Sequence, residues 1–180
     1  MSPTPVETRF NSFDFFSSCM KQHAPQKWYI AGGCAAWLHI EKYTNKDNAY
    51  LTSIKDKVNP GDVEIGLEKA AAATIKERYG EKMQVNVTGT FIHIDVQIEE
   101  PPTFNASLTR CVKIDGAHVF SVPSLITAYE RAGDPGKAEK RKLRLAMLKL
   151  IKDNKRIDKD SVEALASKPT MFQELLSKKK

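Results

Sequence analysis

Two short apolar stretches of this chain carry acidic residues at regular spacing. They are Gly61-Asp62-Val63-Glu64-Ile65-Gly66-Leu67 and Ile92-His93-Ile94-Asp95-Val96-Gln97-Ile98. In an extended strand alternate side chains share a face, so Asp62 and Glu64 lie together, as do His93 and Asp95. Magnesium prefers oxygen ligands and is usually held by a few carboxylates with water and substrate phosphates. The spacing therefore predicts that Asp62, Glu64 and Asp95 form a site for Mg²⁺ or Mn²⁺ on adjacent strands.

The elements that must position these acids follow from the surrounding residues. Trp28-Tyr29-Ile30-Ala31 is a short apolar run that predicts a strand, Gly32-Gly33 predicts a turn, and residues 34–40 predict a buried helix. The first acidic stretch predicts a strand over 62–67, followed by an alanine-rich helix over 68–78. Two hairpins are predicted beyond it: strands 83–87 and 91–98 joined through Gly89 and ended by Pro101-Pro102, then strands 110–114 and 117–120 joined at Asp115-Gly116.

The ends of the chain have a helical pattern. Apolar spacing from Val6 to Met20 predicts an opening amphipathic helix that ends before Pro25. Residues 42–60 are polar and predict a long loop, which could carry one helical turn over 49–54. Helices are predicted over 123–132, 137–151 and 161–176, with Ser161 as a possible N-cap of the last one. The fold class is therefore α/β (α+β), with a core over 1–121 that includes an N-terminal helix and a helical C-terminal region over 122–180.

Composition bounds the class of protein. The chain has 180 residues, 41% of them hydrophobic, which is enough to bury a core. No apolar run approaches the roughly 20 residues of a membrane span, and Met1-Ser2-Pro3-Thr4-Pro5 lacks a signal-peptide pattern, so a soluble, cytoplasmic protein without a membrane partner is expected. The three cysteines lack CxxC spacing and are expected to be buried free thiols.

Basic residues are concentrated near the C-terminus. The formal net charge is +6, and residues 137–156 contain nine Lys or Arg against only Glu139 and Asp153. Such a surface attracts polyanions such as nucleic acid or nucleoside phosphates. A solvated helix face explains the same run of charges equally well.

The order of these parts resembles the nucleotidyltransferase superfamily, which has the polymerase-beta-like fold. The matching residues are Gly32-Gly33 opening a helix, the pair Asp62-x-Glu64 in an apolar strand, and Asp95 on a later strand. The likeness covers about residues 28–98 and extends weakly through Val122-Pro123-Ser124-Leu125-Ile126, where it is similar to small bacterial or mobile-element members such as AbiEii-like toxins.

The resemblance implies a nucleotidyltransferase-like short mixed sheet with flanking helices and transfer of a nucleoside monophosphate from a triphosphate such as ATP to a hydroxyl. Asp62 and Glu64 would bind two metal ions and the triphosphate, and Asp95 would bind the catalytic ion and help to take the acceptor's proton. Gly32 and Gly33 would approach a phosphate through their backbone N–H groups. The acceptor could be RNA such as tRNA, a protein or a small molecule, and an inhibitory partner protein is possible.

The sequence also departs from the toxin-like pattern. Its C-terminal helices have Lys140-Arg141-Lys142-Leu143-Arg144 where that branch places a lysine and a Lys-Asp pair, so Lys140 and Arg141 could serve as phosphate contacts, but the acid is missing. The gap of residues 42–60 before the acidic strand is also long. The alternative function is therefore a catalytically inactive module that keeps the fold and binds nucleic acid or a partner protein.

Other chemistry has less support in the sequence. The four histidines show no metal-protease spacing, and His93 is the one that shares the predicted face of Asp95 and could line the site. The aromatic residues near the N-terminus and the glycine turn, namely Phe10, Phe13, Phe16, Trp28 and Trp37, are expected to pack in the core.

Overall fold

A computed structural model describes residues 7–44, 48–131 and 138–167 of the chain. The chain divides into two compact units, one of residues 1–34 and 60–120 and the other of residues 35–59 and 121–180. The second boundary lies beside the predicted division at 121. Residues 35–59 belong with the C-terminal helices, although they precede the acidic strand in sequence.

The first unit is built on a mixed sheet, which confirms the predicted α+β fold class. Its strands are β1 (Glu7–Phe10), β2 (Trp28–Ala31), β3 (Asp62–Glu68), β4 (Lys82–Val87), β5 (Thr90–Glu99), β6 (Cys111–Ile114) and β7 (Ala117–Phe120). They form one seven-stranded sheet in the order β1-β4-β5-β3-β2-β7-β6. The two acidic strands, β3 and β5, are parallel neighbours, and β2 pairs antiparallel with the other edge of β3.

One face of this sheet is apolar and covered by helices. Helix α1 (Phe13–His23) inserts Phe16, whose ring centroid lies 5.8 Å from that of Trp28. Helix α4 (Lys69–Tyr79) ends with Tyr79, whose ring lies 5.3 Å from that of Phe10. The predicted core aromatics Phe10, Phe16, Trp28 and Trp37 are buried, whereas Phe13 is half-buried. The opposite face carries the acidic side chains and is called the polar face below.

The predicted opening helix is wrong over residues 7–10. Glu7–Phe10 form strand β1, which pairs parallel with β4, and the Thr8 hydroxyl donates to the carbonyl of Tyr79 at 2.6 Å. Helix α1 begins only after Ser12, whose hydroxyl accepts from the N–H of Phe15. The helical spacing of Phe10 and Phe13 was coincidental, because pairing with β4 outweighs local propensity.

The predicted long loop over 42–60 is wrong in part: the helical turn expected over 49–54 is present, but it belongs to a longer helix. Helix α2 runs over Gly32–Tyr43, beyond the predicted end at 40, and a further helix, α3, occupies Ala49–Val58. The Asn48 side chain accepts from the N–H of Leu51 at 3.0 Å, so a residue read as a loop signal begins a helix. Residues 45–47 of the predicted loop lie outside the described residues.

A helix that the sequence pattern did not reveal follows β5. Pro101-Pro102 ends the strand as predicted, but α5 (Pro101–Leu108) begins there at once. Proline suits the first helical turn because the N–H groups there have no intrahelical partner. This helix buries Phe104 against Tyr29, with ring centroids 5.8 Å apart.

The second unit is helical. It contains most of α2 together with α3, α6 (Val122–Arg131), α7 (Ala138–Lys152) and α8 (Lys159–Ala166). Its buried cluster consists of Ile40, Val58, Ala146, Met147, Leu150, Ile157 and Val162. The structure confirms the three predicted C-terminal helices, 123–132, 137–151 and 161–176, where they overlap α6, α7 and α8. Residues 132, 137 and 168–176 of these predictions lie outside the described chain. The predicted cap is wrong, because Asp158 rather than Ser161 caps α8 and accepts from the Ser161 N–H at 2.8 Å.

Within residues 7–44, 48–131 and 138–167, no helix is both long and apolar enough to cross a membrane. All three cysteines are free thiols: Cys34 is buried, whereas Cys19 and Cys111 are only partly so.

Candidate functional site

The predicted acidic residues lie on one face of two adjacent strands. The Cα of Glu64 pairs with that of Asp95, and Asp62 pairs with His93 in the same parallel ladder. Neighbouring strands are about 4.8 Å apart, and residues in register project from the same face. The structure therefore places Glu64 directly beside Asp95 and confirms that His93 shares the face of Asp95.

The predicted glycine turn meets the strand acid. Gly32 opens α2 with a φ of +64°, and a Cβ built there would lie 2.5 Å from Oε2 of Glu64. The backbone angle favours glycine at this position, and a Cβ there would displace the end of the Glu64 side chain. Glu64 therefore lies at the N-terminus of α2. Gly33 is the second residue of that helix and is half-buried.

Glu64 and Asp95 form a pair of exposed like charges. The ion pairs of the described residues involve neither of them. Two carboxylates side by side repel each other, and a cation bound between them would relieve that repulsion.

The third predicted acid is placed differently. Asp62 is half-buried at the start of β3 and takes part in a further interaction in the structure. No three His, Cys, Asp or Glu side chains of the described chain are grouped as ligands of one ion. The structure therefore brings two of the three predicted ligands together, while Asp62 shares their face without joining a three-ligand cluster.

A shallow pocket of about 260 Å³ lies beside the carboxylates. Its lining consists of Tyr29, Ala31, Glu64, Ile65, Gly66, Asp95, Val96 and Gln97. The Tyr29 ring lies across Gly66, because a Cβ at Gly66 would come within 2.2 Å of that ring. Glycine at position 66 therefore lets an aromatic wall stand close to the strand that carries Glu64.

Tyr29 is held in place by a buried polar network that sequence reasoning missed. Its hydroxyl donates to Glu99, a carboxylate in a residue only 7% exposed, which also accepts from the Ser107 hydroxyl at 3.4 Å. Burial first, and then the hydrogen bond to Glu99, raises the pKa of Tyr29 to about 12. The Tyr29 ring also stacks on Phe120, with centroids 5.2 Å apart and planes 10° apart. An acid at the end of an apolar strand gives no sequence signal that distinguishes it from a surface residue.

The predicted basic contacts lie in the second unit. Lys140 and Arg141 are half-buried in the first turn of α7. Arg144 is buried and donates through Nε to the carbonyl of Val58 at 3.2 Å and through a terminal nitrogen to that of Asn59 at 2.7 Å. Lys149 pairs with Glu130 at 2.9 Å. Part of the basic run therefore holds the helical unit together, and the role of Lys140 and Arg141 as phosphate contacts stays a prediction.

No family model, curated protein or solved structure matches this chain significantly.

Proposed function

We propose that this protein is a metal-dependent nucleotidyltransferase, which moves a nucleoside monophosphate from a nucleoside triphosphate to an acceptor hydroxyl. One observation carries the proposal: Glu64 and Asp95 stand in register on adjacent strands, with Glu64 against the Gly32 turn at the N-terminus of α2. This juxtaposition unites the three sequence features, the glycine turn, the strand acid and the later acid, on which the resemblance to nucleotidyltransferases rests.

The carboxylate pair suits a divalent cation. Magnesium is usually bound through one or two carboxylates together with water and substrate phosphates rather than by a full cage of protein ligands. Glu64 and Asp95 supply two such carboxylates, and no cationic side chain of the described residues forms an ion pair with them. The ion, when bound, would neutralise phosphate charge and activate the attacking oxygen.

The turn and the acid together explain why a cation would be required. The N–H groups at the start of α2 form a natural anion site, since the helix dipole is positive there. Glu64 already lies at this terminus, so a phosphate approaching Gly32 and Gly33 would meet a carboxylate. A triphosphate can lie beside that carboxylate only with positive charge between them.

In the proposed reaction the acceptor oxygen forms a bond to the α-phosphorus as the bond to the pyrophosphate oxygen breaks. Pyrophosphate leaves, and the acceptor's proton passes to Asp95, the role that the resemblance assigns to it. Asp62 is the third acid on the same face, and in the proposed site it is a weaker ligand of the metal ion than Glu64 and Asp95. Tyr29, across Gly66 from these acids, forms the wall of the pocket beside them.

The test distinguishes transfer of the α-phosphate from transfer of the γ-phosphate. The protein is incubated with each of the four nucleoside triphosphates, labelled at the α- or the γ-phosphate, with Mg²⁺ or Mn²⁺ and either total tRNA or a cell extract. Transfer of α-label alone, with release of pyrophosphate and loss on adding chelator, is the expected result. Transfer of γ-label would indicate a kinase instead, and absence of any transfer would contradict the proposal.

A second candidate is a non-catalytic module of the same fold that binds nucleic acid. The run of basic residues over 137–156, including Lys140 and Arg141 on α7, motivates it. This candidate predicts binding of RNA without label transfer from any triphosphate.

A further inference from the structure

The polar face of the sheet carries a second group of residues beyond the carboxylate pair. The Arg9 guanidinium lies over the ring of Phe91, 5.4 Å from its centroid. Both side chains are exposed, and Phe91 retains 38% of its surface although it is a large apolar residue. His93, also exposed, is two residues further along β5.

Strand register joins this group to the carboxylates. Arg9 pairs with Gln84, Gln84 with His93, and His93 with Asp62, so one row crosses four strands from β1 to β3. Phe91, His93 and Asp95 alternate along β5 and therefore project from the same face. At about 3.4 Å per residue, the backbone distance from Phe91 to Asp95 is about 14 Å.

We propose that Arg9, Phe91 and His93 form a platform on which a single-stranded nucleic acid lies, with its terminal hydroxyl directed towards Asp95. The inference rests on the proposed function and names its acceptor as the end of a single strand. An exposed aromatic ring on an open sheet face stacks an unpaired base, and an arginine beside it can stack on the base or contact a phosphate. A duplex, whose bases are already stacked, cannot use the ring in this way.

The platform carries charges of both signs, so recognition of a nucleic acid rests on stacking at Phe91 and on Arg9 rather than on net charge. Arg9 and Lys82 lie on neighbouring strands of the polar face, with Glu7 beside Lys82 and Asp62 beside His93. At the other end of the platform Glu64 and Asp95 repel phosphate, so the strand would be held by its penultimate nucleotides and would present a hydroxyl, not a phosphate, to the acids.

The experiment measures binding without triphosphate, by fluorescence anisotropy of a labelled ten-nucleotide single-stranded RNA of mixed sequence and of its duplex. Phe91→Leu keeps an apolar side chain but removes the ring, and Phe91→Tyr restores a ring. Val112→Leu is the matched control, because Val112 is an apolar residue on β6 with 44% exposure. Thermal unfolding of each variant verifies that it is folded.

The platform predicts that Phe91→Leu weakens single-strand binding about tenfold or more, that Phe91→Tyr stays within about threefold of wild type, and that Val112→Leu changes nothing. Arg9→Gln should weaken binding and reduce its salt dependence. Equal binding of duplex and single strand, or wild-type affinity in Phe91→Leu, would overturn it. The two proposals fail separately: label transfer to RNA that ignores Phe91 refutes only the platform, whereas Phe91-dependent binding without any label transfer refutes only the transferase.

Discussion

The Oε2 atom of Glu64 lies 2.5 Å from the position that a Cβ would occupy on Gly32. The glycine turn and the acidic strand thus meet, although 32 positions separate these residues in sequence. The turn favours glycine because of its positive φ, and a Cβ there would also displace the carboxylate of Glu64.

Gly32→Ala should therefore reduce both stability and transfer activity, whereas an ordinary glycine substitution at positive φ reduces stability alone. The strained backbone costs about 1–2 kcal/mol of unfolding free energy, and the displaced Glu64 should reduce transfer about 100-fold. The measurements are chemical denaturation and the rate of α-label transfer.

Gly89→Ala is the control, because Gly89 has a φ of +92° with open space where its Cβ would be. It should lose similar stability but keep full activity. An equal loss of transfer in both variants would show that the contact with Glu64 does not matter.

The second prediction concerns Gly66, which is buried beneath the ring of Tyr29. A Cβ at this position would lie 2.2 Å from the ring, so Gly66→Ala must displace Tyr29 or the strand. We expect a loss of about 1–3 kcal/mol in the free energy of unfolding, as in other overpacked sites. Gly61→Ala, with nothing within 4 Å of its Cβ, should stay within about 0.5 kcal/mol of wild type. Similar urea midpoints for the two variants would refute this placement of Tyr29.

Arg144 should stabilise the helical unit even though it belongs to the basic run. Arg144→Met removes the donor to the carbonyls of Val58 and Asn59 and leaves them without that partner. The expected loss is about 1–3 kcal/mol. Lys142→Met removes an exposed charge from the same helix and should change stability by less than about 0.5 kcal/mol. If both substitutions changed the free energy of unfolding by the same small amount, the buried position of Arg144 and its two hydrogen bonds would be contradicted.

The raised pKa of Tyr29 predicts that the free energy of unfolding depends on pH in the alkaline range. Burial and the hydrogen bond to Glu99 raise its pKa from 10.0 to about 12, so the folded protein retains this proton when the unfolded chain has lost it. The resulting stabilisation is complete below pH 10 and is lost as the pH rises towards 12.

The measurement compares urea unfolding of wild type and Tyr29→Phe at pH 8, 10 and 11. The stability advantage of wild type should be constant up to about pH 10 and then shrink, whereas other titrating groups affect both proteins alike. A difference that did not change with pH would mean that Tyr29 is not held as described.

The sequence predicted the strands of the site because alternation along β3 and β5 is a local property that burial enforces. The alternation places each of Glu64 and Asp95 on the polar side of its own strand. The register between the two strands depends on strand pairing, which only the fold provides. The N-terminal strand was missed because Phe10 and Phe13 have helical spacing, and only pairing of β1 with β4 selects an extended chain. Helix α3 was predicted only as one turn over 49–54, because Asn48 and Asn59 on either side of it are read as loop signals, although Asn48 caps the helix. The hydrogen bond between Tyr29 and Glu99 joins residues 70 positions apart and has no local signature.

The most direct test of the central claim is the single-turnover rate of α-label transfer in carboxamide variants. Glu64→Gln and Asp95→Asn should each reduce the rate about 100-fold or more, since each removes a charge at the reacting phosphates. Glu100→Gln, which removes an exposed carboxylate from a surface ion pair with Lys69, should stay within about twofold of wild type. Equal rates in all three variants, with transfer still present, would contradict the assignment of Glu64 and Asp95 as the catalytic pair.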